Sequence, residues 1–219
     1  MDMMHITRQL HPKETSVLEK LKTKTEKELN EKTRIPYFIF AGLLGIGFTY
    51  FASMLKIHFL AFVFGAIALF SFGFVVFMPY ELYKNKLRVK KRINSIDNFL
   101  ENDNLRVIPV NALRIALAKE NEDEGDLYII EYEIDKVLYL WDYDYNLRKE
   151  FPCLNFEIYE DGFFKLTGKQ VYPLSETIQP VIIDKYAKWE YMKKMGVPGH
   201  LETENINFEK LIEKIKNIV

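Results

Sequence analysis

The chain has 219 residues, a formal net charge of -1 at pH 7, 48% hydrophobic residues and 28% charged residues. That balance excludes a disordered tail, a collagen-like repeat and a strongly basic nucleic-acid binder. A single cysteine, Cys153, excludes an internal disulfide framework and a cysteine-based zinc site.

The first predicted element is a helix that opens at Pro12, where a missing amide is harmless. Val17, Leu18, Leu21 and Leu29 give it a thin apolar stripe, and Glu28 and Lys32 are ordered for an i, i+4 pair. The stripe is too narrow for an isolated helix, so the segment must pack on another element or fray.

Two apolar runs follow. Ile35 to Leu55 and Phe59 to Tyr80 contain no charged residue, and only Lys56-Ile57-His58 separates them. About 20 apolar residues span a bilayer core, so the pattern predicts two antiparallel transmembrane helices. Basic residues flank both ends: Lys20, Lys22, Lys24, Lys27, Lys32 and Arg34 before, and Lys84, Lys86, Arg88, Lys90, Lys91 and Arg92 after. The positive-inside rule then predicts both termini in the cytoplasm of a plasma (inner) membrane, with Tyr37, Tyr80 and Tyr83 at the interface. Lys outnumbers Arg 23 to 7, the usage of an AT-rich bacterial genome.

Small residues recur on each run: Ala41, Gly45, Thr49 and Ser53 on the first, Ala61, Gly65 and Ala68 on the second. Such faces let helices approach closely. Packing within the hairpin is the simpler reading, because a hairpin already needs a contact face. A homo-oligomer formed through the first run is the alternative.

Leu82, Val89, Ile93, Ile96 and Leu100 keep one face apolar beyond the second run, so that helix is expected to continue into the cytoplasm. The cations Lys84 to Arg92 are a lipid-facing basic cluster able to attract anionic lipids, or a topology signal alone. No aromatic residue interleaves with them, which speaks against nucleic acid.

Residues 93–219 carry a net charge of -9 and mark a separate domain. Val110 to Glu120 is ambiguous, since Leu113, Ile115 and Leu117 fit a strand while Ala112, Ala116 and Ala118 favour a helix; a helix capped by Asn111 is the reading taken, with Glu120 to Asp126 as an acidic loop. Alternation over Tyr128–Ile134, Val137–Trp141 and Leu154–Ile158 predicts antiparallel strands with one buried and one wet face. Asp135-Lys136 is read as one turn. Asp161-Gly162 is read as a hairpin into a strand over Phe163–Leu166. A strand over Pro180–Asp184, a helix from Tyr186 to Met195 and a final helix capped by Asn207 complete the series.

The fold class expected is a membrane protein: a two-helix transmembrane hairpin plus a cytoplasmic two-layer α+β domain with an antiparallel sheet. The expected organisation is an N-terminal helical segment (1–34), the hairpin (35–80), a basic juxtamembrane helix (81–104) and the domain (105–219).

Asp142 and Asp144 are the best candidates for chemistry, since carboxylates at a strand end bind divalent cations. Alternation sends both to one solvent face, and no further motif supports a metal. Glu131, Glu133 and Asp135 read as a wet strand face. Cys153 and His200 form a dyad only if the fold brings them together. His5, His11 and His58 lack metal-ligand spacing, and there is no Gly-rich phosphate loop. The expectation is therefore no metal, no cofactor and no nucleic acid. The partners expected are the lipid bilayer, anionic lipids, and an unidentified cytoplasmic protein or ligand. The function expected is a membrane-anchored binding module. A signal-gated membrane effector and a metal-dependent membrane-tethered enzyme are the alternatives.

Overall fold

A computed structural model describes residues 4–30 and 35–218. Lys32 and Arg34, and with Lys32 the expected pair to Glu28, lie outside the described residues. The chain divides into two compact units, one of residues 1–14 and 102–219, the other of residues 15–101.

The apolar unit is built from helix. α1 (Pro12–Asn30) begins at Pro12; α2 (Ile35–Met54) and α3 (His58–Asn102) flank a short link at Leu55–Ile57. A 45-residue α3 is possible because its apolar half and its amphipathic half are both good helix sequence. Pro79 is accommodated within it. Lys22 of α1 pairs with Asp97 of α3 at 2.7 Å. Leu18 of α1 and Ile96 of α3 are fully buried.

The other unit holds two sheets. β1 (Ile6–Arg8), β2 (Leu105–Asn111), β6 (Asn155–Tyr159) and β7 (Val171–Pro173) form the first, in spatial order β1-β2-β6-β7 and antiparallel throughout. β3 (Arg114–Ala118), β4 (Asp126–Glu133), β5 (Lys136–Asp142), β8 (Val181–Ile183) and β9 (Thr203–Glu204) form the second, in order β8-β3-β4-β5-β9. β8 runs parallel to β3, and the other pairs are antiparallel.

The second sheet is a middle layer. Ile115, Tyr128, Ile130, Leu138 and Leu140 meet Ile108, Val110, Phe156, Ile158 and Val171 of the first sheet. Its other face carries Ala116, Ala118, Leu127, Ile129, Tyr139 and Trp141. These pack on α5 (Lys185–Met195) and α6 (Phe208–Lys216). The domain is thus three layers deep and not two. This overturns the wet face expected for β4 and β5: Asp126 to Glu131 and Val137 to Asp142 are all buried. Alternation reports chemical contrast between faces, and a strand covered on both sides has little to report.

Three further expectations fail. Residues 110–120 are the end of β2 and all of β3, not a helix. Ile115, Ala116 and Leu117 pair with Ile130, Ile129 and Tyr128, and tertiary pairing overrides the helix preference of alanine. The small Ala116 and Ala118 instead admit α5 and α6. Asp161-Gly162 does not turn a hairpin; it starts α4 (Asp161–Thr167). Phe163 and Leu166, three apart, are the buried pair, which is helical spacing. Gly168 ends the helix at φ 72°, where its amide bonds the Phe164 carbonyl at 2.7 Å. The β4–β5 turn is Ile134-Asp135, one residue earlier than expected, with Asp135 at φ 58°.

Candidate functional site

The most unusual surface of the molecule is on α2 and α3. Both helices are long and apolar enough to cross a membrane, and only 6% of the most apolar window of each is buried. A core helix of a soluble protein would be mostly covered. The Ser and Thr hydroxyls of their apolar stretches are satisfied locally: Thr49 donates to the Gly45 carbonyl at 2.8 Å, Ser53 to the Tyr50 carbonyl at 2.7 Å and Ser71 to the Ile67 carbonyl at 2.9 Å. Such groups need no water, as an apolar solvent requires.

The small residues divide by position. Gly45 is buried, and a Cβ there would stand 3.1 Å from the Phe72 ring of α3. Ala68 is buried, Ala41 and Ala61 are half-buried, and Thr49 is exposed. Phe38 stacks on Phe74 and Phe48 on Phe64, with ring centroids 5.7 and 5.6 Å apart. Ser53 and Gly65 are exposed, and a Cβ on Gly65 would meet nothing within 4 Å. Gly45→Leu is therefore expected to force the Phe72 ring aside and cost about 1–3 kcal/mol. Gly65→Leu should leave stability unchanged. Thermal unfolding in detergent compares them, and equal losses would contradict this packing.

Past Pro79, α3 turns polar. Lys84, Lys86, Arg88, Lys90, Lys91 and Arg92 are all exposed, and so are Tyr80, Tyr83 and Leu87. The Lys84 ammonium lies 5.6 Å from the Tyr80 ring centroid, and Arg88 is 3.6 Å from Glu81.

The aspartate candidates separate. β5 ends at Asp142, whose carboxylate is fully buried and accepts the amides of Asn146 at 2.9 Å and Leu147 at 3.0 Å. Burial pushes its pKa up, the two amides pull it down, and the facing Asp126 carboxylate adds to the rise. Asp144 is exposed. The shared solvent face expected for the two does not form, because the chain leaves the strand into a turn that Asp142 itself closes. Among the described residues no group of three or more His, Cys, Asp or Glu side chains converges as a metal site.

Glu131, also expected to be wet, is buried and paired with Arg114 at 2.7 Å. Cys153 lies in the core between the sheets, with burial raising its thiol pKa. His200 accepts the Trp141 amide at 3.2 Å, and burial lowers its pKa.

The acidic loop is tied down by Lys188 of α5. This buried ammonium reaches Glu124 at 2.8 Å and the Gly125 carbonyl at 3.2 Å. Burial alone would raise Glu124, but Lys188 and the loop amides hold its carboxyl down at about 2.

Among the described residues, two clefts stand out on the two-sheet unit. One, of about 210 Å³, is lined by Tyr139, Tyr191, Glu202, Glu204 and Lys214; Tyr139 donates to Glu204 at 2.5 Å. The other, of about 320 Å³, lies between residues 146–151 and 167–173.

A polar cluster that sequence reasoning missed sits on the outer side of the first sheet. Arg8 of β1 donates to Glu157 of β6 at 2.5 and 2.8 Å and to both oxygens of Glu14 at 2.8 Å. Tyr159 donates to Glu14 at 2.6 Å, and the His11 amide also donates to Glu14 at 2.7 Å. Burial opposes ionisation of Glu14, but Arg8, Tyr159 and the His11 amide win and lower its pKa. The only signal in sequence was a charged residue next to a short β-branched run.

Compared with known protein families, curated proteins and solved structures, the chain matches none.

Proposed function

We propose that this chain is an integral membrane protein whose α2–α3 hairpin anchors a cytoplasmic protein- or ligand-binding module at the inner face of the membrane. One observation carries the reading: two charge-free helical stretches of bilayer length stand almost wholly uncovered. Water would penalise that surface heavily, and lipid would not. The module is the unit with the two sheets, and its clefts are the natural ligand sites. The loop Leu55–Ile57 lies on the opposite side of the bilayer, since basic residues flank the other helix ends.

Orientation is testable by thiol labelling. Native Cys153 is no reporter, because it is fully buried. Lys165, on α4, has a 73% exposed side chain. In a Cys153→Ala background, Lys165→Cys should resist a membrane-impermeant maleimide in intact cells and react after lysis. Labelling of intact cells would reverse the orientation.

A second reading is assembly of hairpins into a membrane effector. An apolar groove of about 280 Å³ on α2, lined by Phe40, Leu43, Leu44, Gly47, Phe48 and Phe51, favours it. Dye release from liposomes separates the readings, since an anchor leaves vesicles sealed.

A further inference from the structure

We propose that the face of α3 carrying Tyr80, Tyr83, Lys84, Leu87 and Arg88 binds the phosphate of an anionic phospholipid; this rests on the anchoring reading above. The five positions follow i, i+3, i+4, i+7 and i+8 spacing, so they share one side of the helix. The half-buried or buried Leu82, Val89, Ile93 and Ile96 mark the other side. All five are exposed.

Depth and helix face together select among the six cations. Tyr80 ends the charge-free stretch, and the helix rises 1.5 Å per residue. Lys84 then stands about 6 Å and Arg88 about 12 Å beyond it, whereas Lys90, Lys91 and Arg92 stand about 15 to 18 Å away; Lys86, at about 9 Å, is set apart by its place on the side of Leu82 and Val89. Charges more than about 8 Å from the headgroups are largely screened at physiological salt. Direction helps Lys84 and Arg88. Helical side chains tilt toward the helix N-terminus, and on α3 that direction leads back to the charge-free stretch. Lys84 and Arg88 can therefore reach down several ångströms toward the headgroups. The exposed rings of Tyr80 and Tyr83 belong at the same level. The arrangement is specific to a phosphate with apolar surface beside it, which a lipid headgroup supplies.

Glu81 is the internal competitor. It lies on the same face and holds Arg88 at 3.6 Å. A lipid phosphate must displace it from Arg88. Simple topology signalling counts cations and is almost indifferent to a glutamate, so Glu81 distinguishes a site from a charge count.

The test uses the full chain in nanodiscs of phosphatidylcholine mixed with phosphatidylglycerol, reading lipid composition around the protein by native mass spectrometry. The wild type should enrich phosphatidylglycerol. Lys84→Gln/Arg88→Gln should lower that enrichment about fivefold or more. Lys86→Gln/Lys90→Gln removes the same charge from the flank and should retain most of it. Glu81→Gln should raise it. Equal loss in the two double variants, or no gain in Glu81→Gln, would overturn the site. Alkaline carbonate extraction of native membranes separates the two proposals. Wild type released by carbonate defeats the anchor, whereas retained wild type without enrichment defeats the lipid site alone.

Discussion

Leu69→Asp/Phe70→Asp should release the protein from alkali-washed membranes, while Leu69→Asp alone should leave much of it behind. Both side chains lie near the centre of the second apolar stretch and are 72% and 77% exposed. Thirteen Leu, Ile, Phe and Val residues lie between Phe59 and Tyr80. At about -0.3 to -0.6 kcal/mol each they favour insertion by roughly 4 to 8 kcal/mol. One aspartate at the helix centre costs about 2.5–3.5 kcal/mol, so one is tolerated and two cancel the driving force. On a water-exposed helix the same substitutions would fall within about 0.5 kcal/mol per site and improve solubility. The two environments predict opposite results, and carbonate fractionation reads them directly.

Arg8→Ala should strongly destabilise the two-sheet unit. Glu14 and Glu157 have side chains only 3% and 7% exposed, and Arg8 stands between them. Removing the cation strands two buried carboxylates, a loss of about 3–5 kcal/mol. Adding Glu14→Gln and Glu157→Gln should recover much of it, because no uncompensated charge then remains. Urea unfolding in mild detergent, followed by fluorescence of the buried Trp141, measures both steps.

The same cluster sets a pH dependence. Folding lowers the Glu14 pKa below its ordinary 4.5. Its contribution is therefore complete above about 4.5 and is lost as pH falls through the lower folded value. Glu124, held at about 2 by Lys188, acts in the same direction. Stability should decline below pH 4.5, and less steeply in Glu14→Gln. An unchanged slope in that variant would remove Glu14 from the account.

The features legible in sequence were those with local causes. Two charge-free runs joined by Lys56-Ile57-His58 specify two helices without reference to anything distant. Asn207 does cap α6, its side chain accepting the Lys210 amide at 3.1 Å. Phe208, Leu211, Ile212 and Ile215 are all buried as their spacing required. The basic cluster was visible as a count of cations. Which of them share a face with Tyr80 and Tyr83, and that Glu81 occupies Arg88, followed only from an unbroken α3 with its side chains in place.

The misreadings have non-local causes. Residues 110–120 are ambiguous by themselves, and β4 and β8 on either side of β3 decide them. Alternation places Asp142 in solvent because the pattern continues on paper past the point where the strand stops. Arg8 and Glu157 are 149 residues apart, and no local pattern joins them.

The sequence by itself determined where charge, apolar length and helix caps fall, since each depends on neighbours within a few residues. The tertiary structure alone decided which faces are covered. Burial on both sides of β4 and β5, the pairing of Ile6–Arg8 with β2 and the enclosure of Asp142 all depend on segments far away in the chain. The free energy of covering a surface belongs to the pair of surfaces that meet.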